Sequence, residues 1–283
     1  MDASHRFKNH LSILRNWATG RSRKLRLKIV QSLPENCGVL CPPGTPNLPG
    51  AFFCAMMHSY RDAQRFRPRP QFLFGNHLLQ SFVRLPRDFY DRQPAVVARE
   101  LLGKLLIRRL GRQTLSGRIV ETEAYQAKQD TACHAAHGRT PRNTAMFGPA
   151  GHTYVYSIHA RYCFNVVTEQ KDIPSAILIR ALEPLQGIHR MKLLRRSEKL
   201  LNLTRGPARL CEALQIDKRL NEHDLIDSKQ LWIAVDPSFD HTVHQITTSP
   251  RIGVTSAKTL ELRFFFNGSR FVSGPRKFHR PAS

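Results

Sequence analysis

Two carboxylates and a phenol alternate along one stretch of this chain. They are Glu121, Glu123 and Tyr125, within Gly117-Arg118-Ile119-Val120-Glu121-Thr122-Glu123-Ala124-Tyr125. Leu115, Ile119 and Val120 lead in without a helical period, which reads as a strand running into a polar turn. Side chains of an extended chain alternate with period two, so all three groups project to one side. A carboxylate beside an aromatic ring at a strand end can bind a flat ring and take a proton from water. An ordinary strand edge has the same pattern, and spacing alone leaves both readings open. Two same-face carboxylates about 7 Å apart also approach the separation used by inverting sugar hydrolases. They would lie side by side rather than flank a bond from opposite faces. Glu121 is therefore read as structural, holding a turn or a basic partner.

Further polar and aromatic groups follow within sixty residues: His134, Thr140-Pro141-Arg142-Asn143, Tyr154-Val155-Tyr156, Cys163-Phe164-Asn165 and Arg180-Ala181-Leu182-Glu183-Pro184. Taken singly, Tyr125 and Tyr156 suit half-buried core positions, and Arg180 suits a buried arginine paired with Glu183. The six cysteines make no metal signature. Cys37 and Cys41 are four apart, with no second Cys/His pair at zinc-finger spacing nearby. Cys133, Cys163 and Cys211 stand singly and read as free thiols in a reducing compartment.

The elements that must carry these groups are short. Pro94 opens a helix that Gly103 stops, residues 104–110 form a strand, and Gly111-Arg112 turns it into a partner strand over 115–121. Strands are expected at 154–158, 163–167, 177–181, 231–235, 251–254, 262–266 and 271–272, with Asn267-Gly268 as a hairpin turn. Pro184 to Arg196 reads as a basic helix, and Pro207 opens another. Many strands, few helices and no βαβ rhythm give an α+β (mixed) fold: one domain with a mostly antiparallel curved sheet and packed helices. That domain is placed at residues 83–274, with a short basic tail at 275–283. Residues 1–82 read as an extension, either a disordered basic arm or an overlong start with Met57 as an alternative, rather than a transit segment.

Charge sharpens the picture. The chain has 283 residues, a net charge of +23 and a pI near 10.7. Twelve of its 44 Lys/Arg and three of its 21 Asp/Glu fall in residues 1–82, leaving thirty-two against eighteen. The body is basic on its own account, which favours a polyanion, nucleic acid first. No window approaches the length of an apolar membrane span. There is no Gly-rich phosphate loop and no internal repeat.

In this order, the quoted blocks resemble the alkyladenine (3-methyladenine) DNA glycosylase family, which removes damaged purines from duplex DNA. The resemblance covers roughly residues 85–273. It includes Gln93-Pro94, Gly206-Pro207-Ala208-Arg209-Leu210-Cys211-Glu212-Ala213-Leu214 and Arg251-Ile252-Gly253-Val254. It implies that Glu123 is the base that activates water, with Arg180 close to that water and the DNA backbone. Tyr125, His134 and Tyr156 would sandwich the extruded base, and His134 would also bond its exocyclic edge. Asn165 matches the position that clashes with the guanine amino group. A monofunctional hydrolase follows: no lysine stands beside Glu123, Lys128 being nearest, so water is the nucleophile. No metal or organic cofactor is implied. The partner is double-stranded DNA with damaged purines, met by a monomer in the nucleoid, nucleus or an organelle, without a membrane.

One departure stands out. Relatives carry a Tyr-Gly-Met-type stretch after Tyr-Val-Tyr, whose tyrosine wedges into the gap left by the flipped base. Here the chain reads Ser157-Ile158-His159-Ala160-Arg161-Tyr162-Cys163, one residue shorter. His159 falls at the wedge position and Arg161 is its alternate. A catalytically impaired DNA- or RNA-binding module of the same fold is the competing reading.

Overall fold

Strand β2 (Gln113–Tyr125) is the axis of the molecule, whose computed structural model describes residues 82–279. Expectations for residues 1–81 and for the end of the tail, 280–283, lie outside those described. One edge of β2 changes partner along its length. Its first half pairs with β1 (Leu105–Leu110), and its second half, Glu121 to Glu123, with β8 (Arg263–Phe266). The other edge pairs with β5 (Ser175–Gln186) through register shifts at Ser116/Gly117 and on both sides of Glu121. Such bulges raise local twist and bend a sheet. The remaining strands, β3 (Thr153–Ile158), β4 (Arg161–Thr168), β6 (Leu231–Ala234) and β7 (Ile246–Ser249), complete the order β3-β4-β5-β2-β1-β6, with β7 on β8. All pairs are antiparallel. Four helices, α1 (Arg87–Tyr90), α2 (Pro94–Glu100), α3 (Ile188–Arg195) and α4 (Pro207–Ala213), accompany the curled sheet, giving the expected mixed α+β fold.

Beyond the bulges at Glu121, alternation sorts the strands between two environments. Thr122 and Ala124 of β2, Ile177 and Ile179 of β5, and Phe164 and Val166 of β4 face the main core with α2 and α4. Their neighbours Glu121, Glu123, Tyr125, Ala176, Leu178, Arg180, Cys163, Asn165, Tyr154 and Tyr156 face the other way. Burying the first set anchors the sheet, at about 1.5–3 kcal/mol for each large apolar side chain, and thereby aims the second set. Among the described residues, no helix is long and apolar enough to cross a membrane.

Four elements differ from expectation. Pro184 does not open a helix; it lies in β5 opposite Gly117, at a bulge, where a missing N–H breaks no regular ladder. Helix α3 begins only after Gly187, whose φ of 75° reverses the chain. Residues 251–254 form no strand, because the Arg251 side chain and the Ile252 amide are drawn to buried carboxylates. Residues 271–272 form none either: Arg205 captures the Val272 carbonyl. Strand β7 was missed, since Ile246-Thr247-Thr248-Ser249 has too little apolar signal.

Candidate active site

At the floor of the site, Arg180 lies between the two carboxylates of β2. Its Nε donates to Glu121 Oε1 (3.0 Å), one Nη to Glu123 Oε2 (3.1 Å) and the other to Ser273 Oγ (3.2 Å). The expected alternative pairing with Glu183 does not occur; Glu183 bonds Arg118. Arg263 adds a second guanidinium on Glu121 Oε1 at 2.7 Å. Ser273 completes the cage, its amide donating to Glu121 Oε2 (2.6 Å) and its hydroxyl to Oε1 (3.0 Å). Two carboxylates thus meet two guanidinium groups, and buried charge is balanced. Burial pushes the Glu121 pKa up, but Arg180, Arg263 and the Ser273 amide outweigh it and hold the group below the usual carboxylate range. Glu121 therefore has a structural environment, as its sequence position suggested.

Glu123 is held differently. Its Oε2 takes Arg180 and the Tyr125 hydroxyl (3.0 Å), while Oε1 takes only the Ile252 amide (2.7 Å). A carboxylate oxygen can accept two bonds, so the spare acceptor position is on Oε1. Glu123 is fully buried, behind a wall formed by its own three partners. Burial, and then the Glu123 charge, push the Tyr125 phenol well above its ordinary pKa, so it stays a donor.

Above that wall opens a cavity of about 610 Å³, lined by Tyr125, His134, Tyr154, Tyr156, Cys163, Asn165, Arg180 and the 252–256 loop, among others. His134 meets Tyr156 edge-on with ring centroids 4.5 Å apart, and its Nδ1 is 2.9 Å from the Tyr154 hydroxyl. Burial, then Arg142, lower the His134 pKa from its ordinary value, which favours the neutral imidazole. Asn165 is buried and gives its amide hydrogen to Tyr154 C=O (2.9 Å), which leaves its own oxygen as the spare polar atom. The structure therefore brings together Glu123, Tyr125, His134, Tyr156, Asn165 and Arg180.

Sequence reasoning missed the groups that hold this set. Arg251 and Asp130 form a fully buried bidentate pair, both bonds 2.6 Å, and Arg251 also lies 4.6 Å over the Tyr125 ring. Asp130 is pushed up by burial but drawn lower overall by Arg251 and by the amides of Gln126 and Ala132. Asn143 donates to the carbonyls of His134 and Gly138 (both 2.9 Å) and accepts from Thr140, tying down the loop that carries His134. Asn143 and Arg251 each stand in a quoted block, but nothing pointed to Asp130 or to its pairing with Arg251, 121 residues away.

His159 and Arg161 lie elsewhere. They belong to the β3–β4 hairpin, whose two-residue turn is His159-Ala160 at φ 47° and 59°. Positive φ at both central residues is the geometry of a tight hairpin turn, usually filled by Asn or Gly. His159, Ala160 and Arg161 are exposed, and Ile158 links the hairpin to the cavity wall. On the other side, Arg180 and Pro207 are shared with a second cavity of about 520 Å³ lined by Arg205 and Arg209. A third, of about 740 Å³, shares Arg205 and adds Arg270 and Lys277.

A buried carboxylate behind an aromatic slot, flanked by arginine-lined grooves, suits a hydrolase that draws a flat ring from a polyanion. The comparisons agree with that class. The family model described as methylpurine-DNA glycosylase matches residues 88–270. A protein of Rhodopirellula baltica named "Putative 3-methyladenine DNA glycosylase" is 46% identical over 201 residues, covering 69% of this chain and 85% of its own. Proteins of the same name from Koribacter versatilis (44% over 202 residues, 70% and 97%) and Methanocella arvoryzae (47% over 194 residues, 67% and 95%) are similar to it as well. The chain belongs to the methylpurine-DNA glycosylase family.

Proposed function

We propose that this chain excises alkylated or deaminated purines from duplex DNA as a monofunctional glycosylase, initiating base excision repair, with Glu123 activating the water. The purine leaves the stack and enters the slot between Tyr125, His134 and Tyr156, whose faces replace the stacking it gives up. A water passing between Tyr125, Arg180 and Ile252 donates to Glu123 Oε1. As its oxygen bonds C1′, one of its protons goes to Glu123 and the electron pair of the C1′–N bond leaves with the base. A cationic alkylpurine departs neutral, and a neutral purine such as hypoxanthine departs as an anion that takes a proton from solvent. The products are a free purine and an abasic sugar. An anionic Glu123 also stabilises the oxocarbenium-like sugar that develops. Arg180 orients Glu123 through its Oε2 and lines the groove where the backbone phosphate approaches. Asn165 crowds the guanine amino group, so undamaged guanine is refused. His159, with Arg161 beside it, fills the gap in the duplex.

The observation that carries this reading is the spare acceptor on Glu123 Oε1 behind the aromatic slot. It disfavours a purely binding module, which needs no carboxylate in that place. Arg205, Arg209, Arg270 and Lys277 would follow the sugar–phosphate backbone. The proposed unit is residues 83–274 with the Arg276–His279 turn folded against it, acting as a monomer on DNA in a nucleoid, nucleus or organelle. Duplexes carrying hypoxanthine, 1,N6-ethenoadenine or a methylated purine, incubated with the protein and then cleaved with alkali, test the whole. Strand scission at the lesion with release of free base is expected. Salt-sensitive binding without base release would instead establish the binding module.

A further inference from the structure

Ser273 lies just beyond the residues matched by the family model, which end at 270. It is nonetheless buried at the centre of the floor. Arg180 has three nitrogen donors and three partners: Glu121, Glu123 and Ser273 Oγ. Ser273 accepts from Arg180 and donates its own hydroxyl hydrogen bond to Glu121 Oε1. It is the uncharged corner of a closed ring of hydrogen bonds. Without that hydroxyl one arm of the guanidinium is free, and the planar fork can swing about its remaining contacts.

Ser273 is itself latched from behind. Its carbonyl accepts from His279 Nε2 at 3.0 Å, and the Phe278 carbonyl accepts from Arg263 at 2.6 Å, so the turn at Arg276–His279 closes over the same cluster. Gly274, at φ 81°, makes the reversal, packed against the side chains of Phe278 and Ile252. Ile252 supplies the amide that holds Glu123 Oε1.

We infer that Ser273 is a positioning residue for base excision: it orients Arg180, and through Arg180 Glu123, while the turn at Arg276–His279 latches it in place. This rests on the glycosylase reading above. Loss of one hydrogen bond to a charged group corresponds to roughly tenfold or more in rate when the bond matters in the transition state.

Single-turnover excision and lesion binding by Ser273→Ala, Ser273→Thr and Glu123→Gln, on whichever of the three lesion duplexes the native protein cuts, form the test. Ser273→Ala keeps the amide on Glu121 but leaves an Arg180 N–H unpaired, so the melting temperature should fall by roughly 2–10 °C, lesion affinity should stay near native and excision should slow about tenfold. Ser273→Thr should restore most of the rate. Excision at the native rate in Ser273→Ala, a matching loss of affinity, or an equal loss in Ser273→Thr would each overturn the inference. Should Ser273→Ala not fold, His279→Ala removes only the latch and is judged by the same criteria. If Glu123→Gln is inactive while Ser273→Ala is unimpaired, the positioning role alone fails. If the native protein cuts no lesion, both fall together.

Discussion

The floor of the cavity and the hairpin at its lip are built on opposite plans. At the floor, Glu121, Glu123, Arg180, Arg263 and Ser273 are buried and joined by hydrogen bonds, and Asp130–Arg251 braces them from the side. At the lip, His159 and Ala160 are exposed and sit in a backbone region that costs residues with a Cβ about 1–2 kcal/mol each. A proton-transfer group must be fixed within fractions of an ångström, and the floor fixes it by redundancy. A side chain that enters a duplex has to meet a deformable partner, and the lip leaves it free. The contrast is between chemistry and access.

Several substitutions would break or sharpen that contrast. Glu123→Gln should have the largest effect: single-turnover excision falls about a hundred- to ten-thousand-fold while lesion binding persists. Excision within tenfold of native would remove Glu123 from the chemistry. Asp130→Asn strands Arg251 in the interior, and chemical denaturation should show a loss of roughly 3–5 kcal/mol. The pH dependence supports the same point. Asp130 and Glu121 have folded pKa values below their unfolded ones, so their stabilisation is present above the ordinary carboxylate pKa and is lost as pH falls through the folded values. Melting temperatures followed from pH 6 to pH 3 should therefore drop less steeply for Asp130→Asn than for the native chain.

Effects at the lip should be smaller and of another kind. His159→Ala should weaken flipping and slow excision by roughly tenfold or less, most for lesions in stable pairs. Ethenoadenine fluorescence reads flipping apart from chemistry. An unchanged signal there, with a loss in Arg161→Ala, would move the wedge to Arg161. Ala160→Gly relieves one strained residue and should stabilise the fold by about 1 kcal/mol without altering excision. Smallest of all is removal of residues 1–81, cut before Phe82, which packs on the Leu105–Trp232 cluster. Excision at saturating enzyme should be unchanged, and only salt-sensitive nonspecific affinity should fall.

How much of this was legible depended on range. Period-two alternation placed Glu121, Glu123 and Tyr125 on one face, and Arg180 does bond both carboxylates. The collinear blocks brought His134, Tyr156, Asn165 and Arg180 to the same cavity. What could not be read was anything paired across long separations without a local pattern: Asp130 with Arg251, or Glu121 with Ser273, 152 residues on. Arg251-Ile252-Gly253-Val254 has the apolar content of a strand, yet its backbone and side chain are spent on carboxylates. Pro184 misled for the opposite reason, because a bulge tolerates what a regular ladder does not.

The change of partner along β2 has a consequence for how such a chain can vary in length. From Glu121 to Glu123 the strand is paired on both edges, and from Thr122 to Tyr125 its side chains alternate between the core and the cavity side. One inserted residue would carry Thr122 or Ala124 into the cavity and drive Glu123 into hydrocarbon. The His159-Ala160 turn has no such obligation, and a residue gained or lost there alters only reach. Insertions and deletions that leave a working protein should therefore collect at the hairpin tip, and β2 should keep its length.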